Sequence, residues 1–187
     1  MNIVIFGPPG AGKGTQAKNL EKKLNNFQIS TGDMLRDEIK KDTEIGKKII
    51  NYMNEGKFVD DEIVNNLIKK VVIDPKKKNK LIFDGYPRTL DQAKNLDLIL
   101  TECNQKIDFI FFLNVKKDTI IKRIERRKIL EKRLDDDLDT ILKRYDTYME
   151  TTIPVLDYYS AKSNFREIDG SLEIAEITSK ITDILKV

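Results

Sequence analysis

Histidine and tryptophan are absent from this 187-residue chain, and cysteine occurs once, at Cys103. A single thiol cannot form an intramolecular disulfide, and without histidine or further cysteines a zinc site of the usual N/S kind is excluded. No run of 18 apolar residues occurs, the length a membrane-spanning helix needs. The N-terminus opens on a short apolar run, Met1–Phe6, that ends at Gly7. It lacks the basic segment, longer apolar core and cleavage site of a secretory signal. A cytoplasmic protein without a membrane partner is expected. Neither sign of charge dominates, because the formal net charge is only +3. A dedicated nucleic-acid binder would carry a basic patch or stripe, so nucleic acid is not expected as a partner. What is present is 40% apolar and 35% charged residues, the balance of a globular, soluble chain long enough for one substantial core.

Arginine is also scarce. Of 34 basic residues only Arg36, Arg88, Arg123, Arg126, Arg127, Arg133, Arg144 and Arg166 are arginines. In a chain that otherwise uses lysine, arginine marks places where a planar fork is needed, as in bidentate phosphate contacts.

Short apolar runs at Asn2–Phe6, Phe27–Ile29, Leu81–Phe83, Ile107–Val115 and Phe165–Ile168 read as strands. Helical patterns at Lys13–Leu24, Asp91–Thr101, Asp118–Lys128, Leu138–Ser160 and Leu172–Leu185 separate them. The alternation predicts an α/β fold with a five-stranded parallel sheet covered on both faces by helices. Two segments interrupt it. Residues 32–73 carry three consecutive helical stretches without a strand, and residues 128–137, KILEKRLDDD, form a charged span between two helices. Ligands of such sheets sit at the carboxyl ends of the strands, where insertions become substrate-covering flaps.

The segment Gly7-Pro8-Pro9-Gly10-Ala11-Gly12-Lys13-Gly14-Thr15 has the G-x-x-x-x-G-K spacing of a P-loop, with Gly14 at the usual Ser/Thr position and Thr15 one later. Glycines let backbone N–H groups converge on phosphates, the helix that follows adds its N-terminal dipole, and Lys13 reaches the outer phosphates. Thr15 is the expected hydroxyl near a magnesium ion. The alternative, a plain Gly/Pro turn, is disfavoured because the motif closes a strand pattern and opens a helix.

Two further segments follow strands in the same way: Ser30-Thr31-Gly32-Asp33-Met34-Leu35-Arg36, and Phe83-Asp84-Gly85-Tyr86-Pro87-Arg88-Thr89-Leu90-Asp91-Gln92-Ala93. With GPPGAGKGT in front of them, the chain closely resembles the adenylate kinases, within the nucleoside monophosphate kinases. The resemblance runs from the first strand to the Asp169-Gly170 turn. It implies a single P-loop NTPase-type domain over 1–187, with an acceptor-binding insertion at 30–59 and a short lid at 127–137. It implies reversible phosphoryl transfer from ATP to AMP, with magnesium carried as Mg-ATP, no zinc, and a monomeric enzyme.

Carried over residue by residue, the resemblance assigns the donor site to Gly10, Ala11, Gly12, Lys13, Gly14, Thr15, Arg123, Arg127 and Leu172. Arg123 is expected to stack on the donor adenine and Arg127 to meet the donor phosphates. The acceptor site takes Thr31, Arg36, Lys57, Phe58, Val59, Gly85, Tyr86, Pro87, Arg88, Gln92, Arg133 and Arg144. In it Arg36 and Arg88 clamp the phosphate, and Gln92 presents its amide to an adenine edge. Lys13, Arg88, Arg127, Arg133 and Arg144 would carry catalysis, and Thr15 and Asp84 would hold magnesium through its water shell. Arg126 and Arg166 have no assigned position, and Arg126 reads as a solvated surface cation.

The lid departs from the pattern of short-lid relatives. Lys128 and Lys132 stand where they typically carry glycines, and Asp137 replaces the last residue of an Asp-Asp-Asn run. A stiffer hinge or a longer preceding helix follows. Two other readings stay open. A UMP/CMP kinase would usually carry alanine at Thr31. A non-catalytic P-loop switch or sensor would be expected to show a guanine-reading N-K-x-D motif or to have lost phosphate arginines.

Overall fold

In the computed structural model, residues 1–131, 138–162 and 164–187 are described. The strands are β1 (Ile3–Phe6), β2 (Phe27–Ser30), β3 (Leu81–Asp84), β4 (Phe109–Asn114) and β5 (Phe165–Asp169). They form one parallel sheet in the order β2-β3-β1-β4-β5, with Ile3 opposite both Ile82 and Phe109. The predicted architecture is the observed one.

Period-2 alternation divides the central strands between two cores. Val4, Phe6, Leu81, Phe83 and Ile110 point to one side, against α4 (Asp61–Val72), α5 (Leu90–Glu102) and α8 (Ile153–Ser160). Ile3, Ile5, Ile82, Phe111 and Leu113 point to the other, against α1 (Lys13–Leu24), α6 (Lys117–Glu131) and α9 (Ile174–Leu185). At the start of β1, Asn2 is fully buried. Its amide donates to Lys106 O at 3.0 Å and accepts from Leu81 N at 3.1 Å, tying the chain before β4 to β3.

The strandless stretch folds as predicted into three helices, α2 (Thr31–Lys40), α3 (Glu44–Asn54) and α4. Ser30 caps α2 and Thr43 caps α3, each accepting from the backbone N–H three residues on. The two helices nearly touch at Gly46, where an added Cβ would lie 2.2 Å from Glu38 O. Helix α6 continues past Lys128 to Glu131, the longer helix that its lack of glycine allowed. The acidic run Asp135–Asp137 and Arg133 lie outside the described residues.

Two later helices also differ from expectation. The predicted helix Leu138–Ser160 is divided into α7 (Leu138–Thr147), a π-helical turn at Tyr148–Thr152, and α8. Pro154 has no N–H to donate back along the helix, and the wider turn before it takes up the break. Helix α9 begins at Ile174 rather than Leu172, because the turn after β5 is held by Asp169, whose carboxylate accepts from Ser171 N at 2.9 Å. Among the described residues no helix is long and apolar enough to cross a membrane.

Candidate functional site

The P-loop bends because Gly10 and Gly12 adopt φ of +81° and +95°, a region that L side chains rarely enter. Gly12 is thereby the N-cap of α1, and Lys13 is its first residue. The Lys13 ammonium donates to Gly7 O at 2.7 Å and Pro8 O at 3.0 Å. Burial pulls its pKa from 10.5 down to about 8; Asp84 opposes the shift, while Arg88, Arg144 and Arg127 add to it. Gly14 has a spatial reason to be glycine, since a Cβ there would sit 3.1 Å from Asp84 Oδ2. A Ser or Thr of the common motif would press its Cβ on the carboxylate at the end of β3, which would have to give by a few tenths of an ångström. Asp84 also accepts from Gln28 Nε2 at 3.1 Å.

A cleft of about 560 Å³ opens at the carboxyl ends of β1, β2 and β3. Its walls include Gly10–Thr15, Arg36, Asp84, Arg123, Arg127 and Leu172. A smaller pocket of about 50 Å³ is lined by Phe58, Gly85, Tyr86, Pro87, Tyr148 and Thr152, among others. Lys13, Arg88 and Arg144 line both cavities. Three cations from three distant parts of the chain therefore stand where the cavities meet.

Four of the arginines can be placed against their neighbours. Arg88 donates from Nε to Gly85 O at 2.7 Å, and its guanidinium lies 5.2 Å from the centre of the Phe58 ring. Thr31, buried, donates from its hydroxyl to the same Gly85 oxygen at 2.7 Å. Arg123 donates to Gly170 O at 2.7 Å and Ala11 O at 3.3 Å, and more weakly to Leu172 O at 3.5 Å, joining α6 to the P-loop and the β5–α9 turn. Arg36 pairs with Asp33 at 2.5 Å on the wall of the cleft. Arg144 is on α7, beside the turn at Gly56.

Other predicted residues are placed less directly. Lys57 pairs with Glu55 at 2.6 Å and is exposed, whereas Val59 is buried. Gln92 is 2% exposed and its amide is engaged within the protein: Oε1 accepts from Arg88 N at 2.7 Å and Nε2 donates to Asp61 Oδ1 at 2.7 Å. Arg126, read as a plain surface cation, is exposed and also lines the larger cleft. Sequence reasoning missed Gln28, Tyr148, Thr152 and Asp61. Only Gln28 carried a signal, a polar side chain on a strand that leads to the site.

The site joins a glycine-rich loop bearing Lys13 to a second wall that carries Arg36, Arg88 and Arg144. A family model for adenylate kinase matches residues 5–164. The chain belongs to the adenylate kinase family. An adenylate kinase of Pelagibacter ubique is 48% identical to it over the whole of both chains. One from Mycoplasma capricolum is 40% identical, also over the whole of both. One from Archaeoglobus fulgidus is 38% identical over all of this chain and 98% of its own. As a member of the adenylate kinases, the chain is a nucleoside monophosphate kinase, an enzyme that turns ATP and AMP into two ADP.

Proposed function

We propose that the larger cleft holds Mg-ATP on Gly10–Thr15, with Arg123 and Leu172 beside its base, and that AMP lies against Arg36, Arg88, Gln92 and the 57–59 stretch. The observation that supports this division is the placement of Lys13, Arg88 and Arg144 on the shared wall of the two cavities. A phosphoryl group passing between two nucleotides carries its charge through that junction. Lys13 can turn from the carbonyls of Gly7 and Pro8 to the outer donor phosphates. Arg88 holds the acceptor phosphate, and Arg127, Arg133 and Arg144 take up charge on the group in flight. The acceptor phosphate is already an anion near neutral pH, so no side chain has to remove a proton from it.

Thr15 and Asp84 line the larger cleft and offer oxygen donors suited to a hard cation. Magnesium arriving with the donor would be held by them through water, and there it would neutralise the outer phosphates. On this reading the insertion at 30–59 and the lid at 127–137 would close over the bound nucleotides and exclude water, which would otherwise accept the phosphoryl group. The same reading has the enzyme acting as a cytoplasmic monomer with ATP and AMP as its partners, and the near-balanced charge of +3 favours neither nucleic acid nor an anionic membrane.

A coupled assay with Mg-ATP and a panel of monophosphates tests the proposal. ADP formation is expected with AMP and only weakly with UMP or CMP. Faster turnover with UMP or CMP than with AMP would overturn the acceptor assignment.

A further inference from the structure

Asp61 is the first residue of α4 and follows directly on the 57–60 stretch. Its two carboxylate oxygens reach two residues of the β3–α5 segment. Oδ1 accepts from Gln92 Nε2 at 2.7 Å and Oδ2 accepts from Thr89 Oγ1 at 2.6 Å. Thr89 is the N-cap of α5 and in turn accepts from Gln92 N at 3.1 Å. The far end of the Gln92 amide accepts from the backbone N–H of Arg88 at 2.7 Å, and Thr152 donates to the Arg88 carbonyl at 3.0 Å.

A carboxamide held this way has one orientation. Turned by 180° it would set its oxygen against the carboxylate of Asp61 and its N–H against the N–H of Arg88, and both contacts would be repulsive. The carboxylate therefore fixes the amide, and the amide fixes the main chain of Arg88. Because Gln92 is almost wholly buried, water cannot easily replace either partner.

We propose that Asp61 is a positioning residue for phosphoryl transfer: through the Gln92 amide it sets the main chain of Arg88, and with it the angle at which the Arg88 guanidinium meets the acceptor phosphate. This rests on the assignment of Arg88 as the acceptor clamp. It gives Gln92 a task independent of any base, and it links the insertion, whose chain runs into α4, to the clamp.

The test is a double-mutant cycle on kcat with saturating Mg-ATP and AMP, using Asp61→Ala, Arg88→Ala and the pair. Asp61→Ala alone is expected to lower kcat roughly tenfold with the KM for ATP unchanged, as a modest misplacement of a reacting group does. In the Arg88→Ala background the same change is expected to cost less than about twofold, since the group being positioned is already gone. Asp61→Asn keeps an acceptor for Gln92 and is expected to recover most of the loss. Gln92→Met, near-isosteric and buried, repeats the cycle should Asp61→Ala fold poorly. Equal losses in both backgrounds would overturn the proposal, because a merely structural or base-reading role has no reason to vanish with Arg88. An unchanged kcat in Asp61→Ala would overturn it too. An Arg88→Ala enzyme with normal kcat would instead remove the clamp assignment beneath it.

Discussion

Thr31 and Arg88, 57 positions apart by number, donate to one and the same atom, the carbonyl oxygen of Gly85, each at 2.7 Å. That oxygen is the pin between the first turn of α2 and the segment after β3, so the two halves of the proposed acceptor wall share a single main-chain anchor. Thr31 is 3% exposed, and its hydroxyl has no water to fall back on. Thr31→Val keeps the shape and removes the donor. It is expected to cost about 1 kcal/mol of stability and to raise the KM for AMP several-fold while leaving that for ATP unchanged. Urea unfolding and initial rates check both, and an unaltered KM for AMP would remove Thr31 from the acceptor site.

Arg88→Ala removes the guanidinium from the junction of the two cavities. A fall in kcat of roughly a hundredfold or more is expected, with the thermal unfolding profile retained. Near-normal turnover from a folded variant would show that the acceptor phosphate is held elsewhere.

Lys13 gives a prediction of the opposite kind for stability. A lysine whose pKa is pulled down to about 8 by burial binds its proton more weakly in the folded chain than in the unfolded one. At pH 7 its charge therefore opposes folding. The penalty shrinks as pH rises through about 8 and is gone above the unfolded value of 10.5. Lys13→Met should lose activity by roughly a hundredfold or more. It should nevertheless be more stable at pH 7, by about 1–2 kcal/mol once the lost bonds to Gly7 and Pro8 are allowed for. Thermal unfolding at pH 7 and pH 10.5 is the check: the advantage should be present at the first and absent at the second.

Gly46 marks the contact between α2 and α3. A methyl group 2.2 Å from Glu38 O cannot be accommodated without moving the helices apart. Gly46→Ala is expected to destabilise the protein by about 1–3 kcal/mol, the usual cost of overpacking, despite the better helix propensity of alanine. Activity at low temperature should suffer mainly in the KM for AMP. A variant at least as stable as the parent would show that the helices can separate freely.

The order of elements was legible because each strand is a short apolar run, four of the five closed by glycine or a cap, and because the three candidate phosphate segments each follow a strand. Gly7–Thr15, Thr31, Arg36 and Arg88 could be singled out as site candidates for that reason. The π-turn at Tyr148–Thr152 was not, since helical periodicity looks alike on both sides of it, and only Pro154 hinted at a break. Asp61 was equally silent: its neighbours Thr89 and Gln92 are close only after α4 packs on α5, and an acidic residue in the first turn of a helix ordinarily needs no further reason. The tightness at position 14 is visible only in the fold, where Asp84 stands 3.1 Å from the place of a Cβ. Gln92 illustrates the other limit, since a sequence names a side chain but not the contacts its amide already makes.

The position of β1 in the sheet bears on how the chain reaches this state as it is made. Its residues, Ile3–Phe6, are made before either partner and are wholly covered in the fold, where they pair with Ile82–Asp84 and Phe109–Phe112. At roughly 5–20 residues per second, both partners are available only on the order of ten seconds after β1 has been synthesised. During that interval a wholly apolar strand has neither of its pairing partners. It is the natural target for any holding chaperone that acts during translation.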